Sequence, residues 1–74
     1  MTIREVWLAA DRAQRKEIMD NITGLEVSYS VAYMWVLGQR VPALLYRREV
    51  AGILSRACGG SHSAEELWPG TARG

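Results

Sequence analysis

Apolar residues recur along this chain at the helical spacing, in segments separated by short polar or glycine-containing breaks. Ile3, Val6, Trp7 and Ala10 fall at i, i+3, i+4 and i+7, one stripe of a short helix. Over 11–23, Ile18, Met19 and Ile22, with Leu25 beyond them, mark a buried side; Arg12, Arg15, Lys16 and Asp20 mark a wet one. The pattern allows two helices here or one helix bent at Ala10 and Asp11. Gly24 is the expected stop, because glycine enters the left-handed conformation without a Cβ clash. A third helix is expected between Ser28 as cap and Gly38 as stop. Val31, Ala32, Trp35 and Val36 share one side of it, with Tyr29, Ser30, Tyr33, Met34 and Leu37 largely on the other. Pro42 is expected in the first turn of a fourth helix, where its missing amide hydrogen is harmless. Tyr46, Val50, Ile53, Leu54 and Ala57 give that helix an inner face, and Gly59 and Gly60 end it. A last turn or short helix follows Ser63 and halts at Pro69.

Cap chemistry sharpens these boundaries. Thr2 precedes Glu5, Asp11 precedes Gln14 and Ser63 precedes Glu66, each by three residues. In that arrangement the first side chain accepts from an orphan amide, and the second reaches back to the cap amide. No stretch alternates for long and no Asn-Gly or Asp-Gly turn appears, so strands are not expected. The prediction is an all-α, compact domain of four to five helices over 1–69, with 70–74 as a flexible C-terminal tail.

Composition narrows the function classes. Seventy-four residues, 49% apolar and 23% charged, suit one small domain and leave no room for a two-domain enzyme. A core of this size rarely supplies more than ~3–5 kcal/mol, so a homodimer is expected. One cysteine, Cys58, allows neither an intrachain disulfide nor a multi-cysteine zinc site, and a reducing cytoplasm is the expected location. No apolar run approaches the roughly 18 residues of a membrane span, and the first residues do not read as a signal peptide. Cys58 and His62 lack the orienting group and oxyanion site of a nucleophilic pair. Glu65 and Glu66 read as charges favoured at a helix start. No catalytic residue, metal ligand, cofactor or small-molecule substrate is therefore expected.

A helix, a tight turn and a second short helix before a longer one is the layout of a helix-turn-helix DNA reader. The stretch Leu25-Glu26-Val27-Ser28-Tyr29-Ser30-Val31-Ala32-Tyr33-Met34-Trp35 resembles the turn and recognition helix of phage repressors of the Cro and CI type. The continuation Trp35-Val36-Leu37-Gly38-Gln39-Arg40-Val41-Pro42 is similar to small Cro-like and YdaS-like regulators, in which Trp, Gly and a basic residue before Pro follow the recognition helix. Gly59-Gly60 and then Ala64-Glu65-Glu66-Leu67-Trp68-Pro69 resemble the tail of the same group. The likeness covers roughly 18–69. Three departures stand out. Ile22 occupies a position where the family carries a small residue, Glu26 occupies the turn position the family gives to glycine, and the 42–59 segment is a few residues longer.

The resemblance implies a lambda-repressor-like domain, acting as a dimer on double-stranded operator DNA to regulate transcription. Tyr29, Ser30, Tyr33 and Met34 would then face bases. Two tyrosines and a methionine cannot make the bidentate amide or guanidinium contacts that read adenine or guanine. They suit thymine methyls, and so a site richer in A·T. Arg15, Lys16, Ser28, Gln39, Arg40, Arg47 and Arg48 would meet phosphates, which position without specifying. The net charge of +1 is low for such a binder. Its distribution is uneven, with Arg40, Arg47, Arg48 and Arg56 facing the single acid Glu49 over 39–56. The helix from Tyr29 to Leu37 carries no charge. Its apolar face equally suits core packing or a protein partner, so a protein-binding anti-repressor or inhibitor is the alternative. An excisionase-like factor would need a β-wing after Pro42, and 43–48 lacks the glycine turn for one.

Overall fold

Each of the first two helices begins at a reciprocal cap. The Glu5 amide donates to Thr2 Oγ1 at 3.4 Å and the Thr2 amide to Glu5 Oε1 at 2.7 Å. Gln14 and Asp11 make the same exchange at 2.8 and 2.9 Å. In the computed structural model, which describes residues 1–70, α1 runs Ile3–Ala9 and α2 runs Arg12–Thr23. The backbone is extended at Ala10 and Asp11, with ψ of 144° and 177°, so two helices form rather than one bent helix.

The end of α2 departs from expectation. Gly24 is right-handed, with φ −63° and ψ −15°. The left-handed residue is Glu26, at φ 66°, two residues later in the chain. A non-glycine residue there costs roughly 1–2 kcal/mol. A Cβ at Gly24 would stand 3.3 Å from the carbonyl oxygens of Asp20 and Asn21, one turn back along the helical backbone.

The chain then enters α3, Tyr29–Val36, capped by Ser28 Oγ, which accepts from the Val31 amide at 3.3 Å. Helix α4 spans Leu44–Cys58 and α5 spans Ala64–Leu67. Pro42 lies just outside α4 and is buried, and Ala43 caps that helix without a side-chain acceptor. At α5 only half of the expected cap forms. Ser63 Oγ accepts from the Glu66 amide, while the Glu66 carboxylate turns to the Met1 ammonium at 3.6 Å and His62 Nδ1 at 3.9 Å.

Helix α2 is the central element, packing on α3 along one side and on α4 along another. Helix α1 lies across α3 and α5, and α5 closes on α4. Ile18, Ile22, Val36, Val50 and Leu54 are sealed from solvent in one core, and Trp7, Trp35 and Trp68 are all buried against it. Trp68 therefore covers the end of the core. The protein is all-α, with five helices and no strand among the described residues. Of the expected tail, Gly70 belongs to a turn after Pro69, and 71–74 lie outside the described residues.

Candidate nucleic-acid interface

The two faces of α3 separate cleanly. Ala32, Trp35 and Val36 enter the core, while Tyr29, Ser30 and Tyr33 face outward and Met34 is half-buried. Ser28 presents its hydroxyl at the start of the same face. Its oxygen already accepts from Val31, which leaves the hydroxyl hydrogen for another acceptor.

The tyrosines are ordered by ring contacts. Tyr29 and Tyr33 stack with centroids 6.2 Å apart and planes at 11°. Tyr33 meets Trp7 edge-on, at 6.1 Å and 84°. Exposure rises outward along this series, from 5% at Trp7 to 42% at Tyr33 and 64% at Tyr29. The buried ring thus braces the half-exposed one, and that one braces the outermost.

Arg15 stands behind the series. Its guanidinium lies over the Trp7 ring at 5.2 Å, donates from Nε to the Trp7 carbonyl at 3.0 Å and from Nη2 to the Leu8 carbonyl at 3.2 Å. Those carbonyls belong to the last turn of α1, where the Trp7 carbonyl also accepts from the Ala10 amide at 3.2 Å. A residue expected to meet phosphate is therefore occupied in joining α2 to α1. Lys16 is also occupied: it bonds Asp20 at 2.8 Å, and that bond holds its ammonium pKa above the usual lysine range. Both cations still line a shallow hollow of about 380 Å³ beside Tyr29, with Arg12, Trp7, Met19 and Asp20. Arg12 belongs to this hollow too, although its position on the wet side of α2 did not distinguish it from an ordinary solvated residue.

In the chain that follows α3 the cations are arranged differently. Gln39 and Arg40 are exposed and follow directly from the helix, their amides donating to the Met34 carbonyl at 3.0 and 3.3 Å. Arg48 is exposed on α4 and Arg47 is half-buried there. Neither Arg40 nor Arg48 forms an ion pair among the described residues. Val41, Leu44 and Leu45 add an exposed apolar surface at the start of α4.

Cys58 and His62 line a separate hollow of about 300 Å³ against α1 and Gln14. Burial, followed by the charges of Asp11 and Glu17, pushes the Cys58 thiol pKa up, which disfavours the nucleophilic thiolate. No group of three His, Cys, Asp or Glu residues among the described ones is placed to hold a metal ion. No helix among them is long and apolar enough to cross a membrane.

The arrangement offers a neutral aromatic face beside a hollow lined by the α2 cations, with further exposed cations in the chain that follows α3. Hydroxyls can bond a base edge or phosphate, and rings can pack on apolar base surface. Trp7 was legible in the sequence only as core. Its contact with Tyr33 joins positions far apart in the chain, and helical periodicity carries no signal for that. Comparison with family models, with curated proteins and with solved structures finds no match to this chain.

Proposed function

We propose that this protein is a sequence-specific DNA-binding transcriptional regulator, a Cro-like repressor of phage or prophage type, that acts as a homodimer on operator DNA. The observation that carries the reading is the outward face of α3. Tyr29, Ser30 and Tyr33 are exposed on a helix reached by a tight turn from α2, with Arg40 and Arg48 exposed nearby in the chain. In this reading α3 lies in the major groove. Tyr29, Ser30, Tyr33 and Met34 contact base edges and thymine methyls, and the arginines meet phosphates. Repression follows from occupancy, as two copies place two such helices about one DNA turn apart and exclude polymerase. The small core and the exposed Val41, Leu44 and Leu45 support the second copy.

Fluorescence anisotropy against duplex DNA from the region upstream of its own gene tests this. The expected result is saturable binding that exceeds binding to a scrambled duplex and weakens steeply with salt. Equal affinity for both duplexes would overturn it.

One observation favours a second reading, in which the same face captures a protein: α3 carries no charge. The Tyr33→Ala and Arg48→Ala variants separate the two. A DNA reader loses affinity with either change. If Tyr33→Ala abolishes partner capture while Arg48→Ala is silent, the partner is a protein.

A further inference from the structure

We infer that Arg15 and Trp7 are positioning residues for base reading, an inference that rests on the DNA reading above and gives Arg15 a role other than phosphate contact. The geometry runs in one continuous line. Arg15 fixes the end of α1 through two carbonyl bonds and covers the Trp7 ring at 5.2 Å. Trp7 then meets Tyr33 edge-on at 6.1 Å, and Tyr33 stacks on Tyr29 at 6.2 Å. A tyrosine on an exposed helix face would ordinarily sample several rotamers, and fixing it would weaken binding. Here Tyr33 is held before DNA arrives, by groups that themselves never touch a base. The neutral face depends on such ordering more than a charged one does, because ring packing on a thymine methyl is short-ranged and needs the ring in place.

Arg15 is the informative position, because the two roles respond oppositely to a conservative change. Lysine keeps the charge a phosphate needs but lacks the planar fork that spans two carbonyls and stacks on indole. The experiment compares wild type, Arg15→Lys and Arg15→Met. It uses a duplex selected by the wild-type protein from a random-sequence pool and a scrambled duplex of the same composition.

Both variants are expected to lose roughly 3- to 10-fold in affinity for the selected duplex, the scale of re-ordering one or two side chains. Their affinity for the scrambled duplex and the salt dependence should stay as in wild type. In the DNA-free protein, the Tyr33 ring resonances should shift in both variants as the Trp7 ring current moves. A silent Arg15→Lys beside an Arg15→Met that lowers the salt slope by about 0.9 would identify a phosphate contact and overturn the inference. Unmoved Tyr33 resonances would overturn it as well. Should the random pool yield no preferred duplex for wild type, the DNA reading falls and the inference with it. A selected duplex that both variants discriminate as fully as wild type removes the inference alone.

Discussion

The cations on α2 and those that follow α3 in the chain are differently employed in the fold. On the α2 side, Arg15 is bonded to α1 carbonyls and Lys16 to Asp20. On the side of α4, Arg40 and Arg48 are exposed and without an acidic partner among the described residues. A cation already bonded within the protein must give up that bond to meet a phosphate, whereas an exposed one gives up only water. The α4 side should therefore carry most of the electrostatic attraction to DNA, and the α2 side most of the order of the aromatic face.

The largest test of that contrast is the double change Arg40→Ala with Arg48→Ala. The slope of log affinity against log salt should flatten by about 1.8, two phosphate contacts at roughly 0.9 each. Affinity near physiological salt should fall on the order of 10- to 100-fold, for selected and scrambled duplexes alike. Next in size, Arg15→Ala should cost about 1–2 kcal/mol of stability, read from the denaturant midpoint, through two lost carbonyl bonds and the ring contact. Its salt slope should match wild type.

The turn between the α2 side and α3 gives a smaller effect of opposite sign. Glu26→Gly should stabilise the fold by up to about 1 kcal/mol, since relief of the left-handed strain exceeds the added chain entropy of glycine. Smallest of all, Lys16→Gln should leave the denaturant midpoint close to wild type, because solvent screens an exposed i,i+4 pair, and leave the salt slope alone. A slope that drops with Lys16→Gln would show the lysine exchanging Asp20 for a phosphate, and the contrast between the two sides would narrow.

How much of this was legible in the sequence varies with the range of the interaction. Local chemistry was readable: the Thr2–Glu5 and Asp11–Gln14 caps depend on residues three apart, and both form. So was the division of α3, because the helical period alone sends Ala32, Trp35 and Val36 inward. The Ser63–Glu66 cap formed only in part because Glu66 has competing partners, Met1 from the far end of the chain and His62. The turn misled for a related reason. Gly24 offers the conformational freedom, but its backbone stays right-handed. The left-handed conformation falls two residues later on Glu26, at the position the resemblance marked for glycine. Least legible was the occupation of Arg15, which depends on where the link at Ala10 and Asp11 places α2 against the end of α1. No spacing along a single helix encodes that placement.

The most direct measurement of the central claim, that α3 reads DNA sequence through a neutral aromatic face, is the wild-type affinity for selected and scrambled duplexes across a salt series. The expected result is a preference of about a thousandfold or more for the selected duplex. Both affinities should fall linearly on the log–log plot, and Tyr33→Ala should erase the preference while keeping the slope. Equal affinity for the two duplexes, or a preference that survives Tyr33→Ala intact, would contradict it.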